Sequence, residues 1–409
     1  MSAEPFSALD GSSAVAAGPA GKDPTTPVGT PESAVSPVVD SAHGGREWPR
    51  WVLRPLVIYL ASRVVTMTTL LVAWPFTHRS VLGEVDRWDS RWFLRAAATG
   101  WPTHLPYEHG QVAGNTIAFF PLFPISIRWL SDLTGLPLMA SGMAISSVTG
   151  LTAMIAVWML VRHYTDQGAA DRATLLVAMF PGSFVLSLVY SEGFAITFLA
   201  LGILALLQRR WVVAGLLGLL ATATTPVAIA FELSCLWCAY RAVTRDRDWR
   251  SLAAPVLAPI GFVVYQVWLW IHTGNLNAWR LTERGGWKSY PSLRYPVHIL
   301  ITFVRDPIAN TKTGDLLFIG TAAAVIAAVV AIRQRMPMPM LLYGLAAAGL
   351  GLVSAPIGLR PRFLFLAFPL IIAVGIRLRG KAYGALLGVS IALLSFVTAF
   401  TVSSWAVFP

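Results

Sequence analysis

The sequence predicts an all-α, polytopic membrane protein with about ten to twelve transmembrane helices, whose loops on one face carry the polar chemistry. Three observations support that class. The chain of 409 residues is 56% hydrophobic and 12% charged, against roughly a quarter charged residues in a soluble domain. Its mean hydropathy is +0.63. Apolar stretches close to the ~20 residues needed to cross a bilayer recur from Pro55 to the C-terminus, with no soluble domain between them.

Residues 1–45 are rich in Ala, Ser, Pro and Gly and contain no apolar run, which predicts a disordered cytoplasmic tail and leaves 46–409 as one transmembrane domain. The tail has no basic start followed by an apolar stretch, so the first span is expected to serve as uncleaved signal and anchor. Apolar runs fall at about 55–76, 137–161, 173–190, 191–208, 211–225, 226–243, 251–272, 314–332, 337–355, 361–377 and 382–406. Arg46, Arg50 and Arg54 precede the first run and place the N-terminus in the cytoplasm. Under that threading the clusters at Arg209 and Arg210, at Arg241 to Arg250, at Arg333 and Arg335, and at Arg377 to Lys381 are all cytoplasmic. The formal charge of +11 is thus topological, and no nucleic-acid partner is implied. The remaining connections, 77–136, 190–192, 224–226, 273–313 and 355–362, meet on the extracytoplasmic face.

Counting residues 116–132 (TIAFFPLFPISIRWLSD) as a span would invert the Arg209/Arg210 turn. They are therefore expected to form a re-entrant or interfacial helix, broken at Pro121 and Pro124. Cys235 and Cys238 lie in LSCLWCAY inside an apolar run and read as two buried helix thiols. The sequence contains no Walker loop, no GxGxxG after a strand and no HExxH, so nucleotide-driven transport and metalloprotease chemistry have no foothold, and no cofactor is expected.

The chemistry-bearing residues sit in the outer connections. The first, EVDRWDSRWF (84–93), interleaves acids and arginines with aromatics; Asp86 and Asp89 are three apart, and on a helical turn would share a face. A carboxylate held partly away from water suits general-base work. The rival reading is an interfacial loop whose Trp88 and Trp92 anchor at headgroup level while its charges are solvated. Tyr190 and Glu192 form a second group, with one acid between two apolar runs; a turn-capping role is the rival there. The 273–313 loop carries Arg280, Glu283, Arg284, Trp287, Lys288 and Arg294, and the 355–362 connection carries Arg360 and Arg362. Cations on the non-cytoplasmic side run against topological bias, so an anion should repay them: a lipid phosphate, or the anionic headgroups of the bilayer.

The segments DRWDSRWF (86–93), AFFPLFP (118–124), FPGSFVLSLVYSEGF (180–194), QRRWVVAGLLGLLA (208–221), TGNLNAWRLTERGGW (273–287) and RPRFLFLAFP (360–369) resemble, in order, the PIG-V-type mannosyltransferases. These are GT-C-fold enzymes related to the second mannosyltransferase of GPI-anchor synthesis. The resemblance implies a GT-C-like helical bundle and a polyprenyl-phosphate mannose donor used on the outer face. It also implies inverting transfer to a lipid-linked, glycan or protein acceptor, with an acid of the first outer loop as base, a scheme that demands no metal. Asp89 takes that role and Asp86 comes second; Arg360 or Arg362 with Arg280, Arg284 and Lys288 would meet the lipid phosphate, and Trp88, Trp92, Tyr190, Glu192 and Trp287 would line the site. The Ala- and Pro-rich composition is similar to actinobacterial proteins, which implies the plasma membrane and a decaprenyl-phosphate donor. Two departures stand out: Thr224-Thr225-Pro226 replaces the family's usual Thr-Arg-Pro, and PRF at 361–363 replaces PRY. They keep an inactive scaffold of a glycan-assembly complex as an alternative. A transporter or flippase is the other, although its ionisable residues should lie in broken helices near the bilayer midplane.

Overall fold

The computed structural model describes residues 50–76, 87–305 and 314–403, so the expected tail and Asp86 lie outside the described residues. The first half comprises α1 (Arg50–Ala73), α2 (Trp88–Thr99), α3 (Leu122–Thr134), α4 (Leu138–Tyr164), α5 (Gln167–Ala178), α6 (Glu192–Leu207), α7 (Trp211–Thr222) and α8 (Phe231–Asp246). There follow α9 (Ala253–Leu257), α10 (Ile260–Thr273), α11 (Ala278–Gly286), α12 (Tyr295–Arg305), α13 (Gly314–Arg333), α14 (Met338–Val353), α15 (Pro361–Leu366), α16 (Phe368–Arg377) and α17 (Gly380–Ser403). Two short ladders, β1 (Tyr107–Glu108) with β2 (Gln111–Val112) and β3 (Tyr290–Pro291) with β4 (Ser354–Ala355), are antiparallel.

Each of the predicted apolar runs has a helical counterpart. Among the described residues four helices are long and apolar enough to cross a bilayer, two bent pairs pass the same test together, and five apolar helices are shorter. The protein is a multi-pass, all-α membrane protein. The bends have identifiable causes. Asp166 caps α5, its carboxylate accepting from Ala169 N at 2.8 Å, and the chain then turns by 75° into a 3-10 segment, Pro181–Ser187, which proline starts with its fixed φ. Pro259 marks the 41° bend between 249–257 and 260–273. A further break at Ala367 divides the predicted 361–377 run into α15 and α16.

Residues 116–132 correct one expectation. A 3-10 turn at Thr116–Ala118 precedes α3, with Pro121 as its N-cap. Pro124 does not break the helix, because in the first turn a proline forfeits no intrahelical hydrogen bond. At 13 residues α3 is too short to span, and it buries Phe123 and Ile127 while exposing Ile125, Trp129 and Leu133.

The basic turns join one another. Arg209 pairs with Asp246, Trp211 Nε1 donates to Asp248 Oδ2 at 2.8 Å, and Arg54 meets Asp171 at 2.6 Å. From the Arg210 turn α7 runs to Ala223, whose carbonyl accepts from Leu122 N at 3.1 Å, in the cluster of loops at the other end.

Candidate active site

Asp89 lies in the first turn of α2, where an acid meets the positive end of the helix dipole. Ser90, Phe93, Ala96 and Ala97 face inward and fix the helix's rotation, with Asp89 and Trp92 on the flank. Trp88 enters with a left-handed φ of 53°, and its indole Nε1 donates to Thr401 O at 3.2 Å.

The 3-10 segment is wholly buried and is held from behind by Arg63, which the sequence reading passed over. Arg63 Nη1 donates to Ser183 O at 3.1 Å and to Ser187 Oγ at 2.6 Å. Next, Ser146 Oγ donates to Tyr190 O at 3.1 Å and accepts from Tyr190 N at 3.2 Å. Glu192 then opens α6 at 3% exposure. Neither Ser191 nor Glu192 caps the turn: the Ser191 side chain makes no cap bond, and the carboxylate points elsewhere.

It points at Arg362. This arginine is 9% exposed in the first turn of α15. Its Nε donates to Glu192 Oε1 and its Nη1 to Asp89 Oδ2, and its guanidinium lies 4.5 Å from the Tyr190 ring centroid. Glu192 and Arg362 are thus buried while Asp89 stays partly exposed, and mutual attraction offsets the cost of desolvating the charges. Glu192 Oε2 is buried with no hydrogen-bond partner among the described residues. Arg360, two residues earlier, lies within electrostatic reach of Asp89, Arg362 and Tyr295.

The 273–313 loop supplies a wall. Asn115 Nδ2 donates to Thr282 Oγ1 at 3.2 Å, and Gly285 and Gly286 let the backbone of α11 lie against residues 112–114. That contact brings Trp287 edge-on to Trp92, 5.4 Å between centroids, and to Phe119 at 5.5 Å. Glu283, given no role from sequence, comes into electrostatic range of Asp89; burial first, and Asp89 second, push its carboxyl up to about 8. The β3–β4 ladder pairs Tyr290 with Ala355, Ser292 N donates to Val353 O at 2.7 Å and Tyr295 Oη to Pro356 O at 2.8 Å. The aromatic loop is thereby clipped to the strand that leads to Arg360.

Among the described residues the structure brings Asp89, Tyr190, Glu192, Arg360 and Arg362 together, with Trp88, Trp92 and Trp287 beside them. Arg280, Arg284 and Lys288 are exposed on and after α11 and make no ion pair with the cluster. Thr225, where an arginine was expected, starts the 3-10 turn Pro226–Ala230, and its N–H donates to Ala221 O at 3.1 Å. No group of three or more His, Cys, Asp or Glu side chains among the described residues is arranged to hold a metal ion.

The sequence profile of the family described as Mannosyltransferase (PIG-V) matches residues 67–248, a stretch that contains Asp89, Tyr190 and Glu192 but ends before Arg362. No curated protein matches the chain. Among solved structures the chain is similar to ArnT from Cupriavidus metallidurans bound to undecaprenyl phosphate, at 17% identity over 81% of this chain and 62% of that one, with a TM-score of 0.46. It is also similar to the archaeal oligosaccharyltransferase AglB from Archaeoglobus fulgidus in complex with an inhibitory peptide and a dolichol-phosphate, at 14% identity, 89% and 57% coverage and a TM-score of 0.45. The chain spans less than two thirds of the length of either. Over residues 67–248, just under half of its length, the chain is similar to the PIG-V family of mannosyltransferases.

Proposed function

We propose that the protein transfers mannose from a polyprenyl-phosphate-mannose donor to a hydroxyl of a lipid-linked, glycan or protein acceptor, inverting the anomeric carbon, on the extracytoplasmic face of the plasma membrane. The observation that carries this reading is the ion cluster of half-buried Asp89 with buried Glu192 and Arg362, two of whose members fall inside the family match. As the acceptor oxygen attacks the anomeric carbon, Asp89 takes its proton. The bond from that carbon to the phosphate oxygen breaks, and its electron pair leaves with the lipid phosphate.

Two of the three guanidinium nitrogens of Arg362 already face carboxylates, so its first task is to hold Asp89 in place. The third nitrogen and Arg360 meet the charge that grows on the departing phosphate. Arg280, Arg284 and Lys288, exposed on the neighbouring loop, draw the anionic donor in. The unpartnered Glu192 Oε2 suits a hydroxyl of the transferred sugar.

The test is transfer by the purified protein in nanodiscs of neutral lipid, with radiolabelled polyprenyl-phosphate mannose and candidate acceptors. Asp89→Asn should fold normally and lose ~10²-fold or more in turnover, the usual scale for a positioned base; Asp86→Asn should lose less. Unchanged turnover in Asp89→Asn would remove the base assignment.

A further inference from the structure

A groove of about 600 Å³ runs between α1 and α17, lined by Thr69, Val72, Ala73, Ser395, Phe396 and Ala399 among others. That volume lies within the range of ligand-binding sites. Small side chains at Thr69, Ala73, Ser395 and Ala399 give it depth, while Val72 and Phe396, 65% and 56% exposed, form apolar rims. Both helices are long and apolar enough to cross a bilayer, so the groove opens toward lipid. Beyond its Ala399 end, two residues on, the carbonyl of Thr401 accepts the Trp88 indole N–H, and Trp88 is the residue before Asp89.

A lipid-linked sugar keeps its reacting carbon one phosphate away from a long, methyl-branched chain. That chain must leave the site through a slot that is apolar and continuous with the bilayer. We infer that the α1–α17 groove holds the isoprenoid tail of the donor, with the phosphate at the Trp88 end. The inference rests on the donor chemistry proposed above and adds where the tail lies. An acyl chain of an ordinary phospholipid is the competing occupant.

A benzophenone amino acid in place of Val72 tests occupancy without turnover, with polyprenyl phosphate as the probe. The expected result is a photo-crosslink that excess unlabelled polyprenyl phosphate removes and the same concentration of phosphatidylglycerol does not. Equal competition by phosphatidylglycerol, or no polyprenyl adduct, overturns the proposal. In a second arm, Ser395→Trp and Thr69→Trp fill the groove and should lower the ratio of kcat/KM for a long-chain donor to that for a two-isoprene donor by ~10-fold, the scale of about two displaced methylenes. A folding defect scales both donors alike and leaves that ratio unmoved; an unmoved ratio in both variants counts against the groove. A selective crosslink in the Val72 variant, together with wild-type protein that transfers sugar from no donor, supports the groove while refuting the proposed reaction.

Discussion

Asp89 and Glu192 share Arg362, and Glu283 lies within electrostatic range of Asp89. Burial, and then the charge of Asp89, raise the Glu283 carboxyl from an ordinary 4.5 to about 8. At neutral pH it is therefore mostly protonated. The fold disfavours its charged form, so its ionisation lowers stability as pH rises from about 4.5 to about 8 and costs nothing more above that. In Glu283→Gln that dependence is gone. The melting temperature of the variant minus that of the wild type should grow with pH up to about 8 and then level off; a difference independent of pH would refute the assignment.

At this scale the sequence displayed the charges but not their partners. Glu192 stood out because an acid between two apolar runs is costly in a membrane. Arg362, its partner, is 170 positions away, and one sequence holds no information on such a pairing. Glu283 was hidden among the charges of a long loop. Arg63 was legible and overlooked: an arginine in the middle of the first apolar run is the same signal that marked Glu192.

Among the elements, the 3-10 segment Pro181–Ser187 determines where Arg362 sits. A Cβ at Gly182 would lie 2.2 Å from the carbonyl oxygen of Pro361, at the start of the helix that carries Arg362. Backbone cannot yield there as a side-chain tip would. Gly182→Ala should therefore destabilise the protein by about 1–3 kcal/mol, the usual cost of overpacking, and reduce turnover. The control is Gly349→Ala in α14, where a Cβ meets nothing within 4 Å; it should be neutral or stabilise by up to about 1 kcal/mol. Thermal melts in detergent distinguish the two, and equal effects would mean that the contact with Pro361 carries no weight. Helix identities were readable here because lipid demands long apolar runs. The ends were less so: α5 starts at Gln167 on a capping Asp166, ahead of the apolar run at 173.

For the whole molecule, charge asymmetry predicted that five connections share one end, and the contacts among 87–120, 223, 190–192, 278–295 and 354–362 agree with it. That this end faces outward is a testable proposal. With Cys235 and Cys238 removed, a single cysteine at position 287 should react with an impermeant reagent in intact cells, and one at position 209 only after lysis. The reverse pattern would turn the protein over.

The distance along the chain between the members of the ion cluster has a consequence for biosynthesis. Asp89 is made 273 residues before Arg362 and Glu192 170 residues before it. At typical synthesis rates this delay is roughly ten seconds to a minute. Throughout it, the two acids lack the guanidinium that engages both, and removing one partner from a buried ion pair typically costs about 3–5 kcal/mol. The newborn chain must keep them wet or under an insertion chaperone until its last quarter emerges from the ribosome. A polypeptide cut short before Pro361 never receives the guanidinium, so its Asp89 and Glu192 lack the partner that joins them in the longer chain.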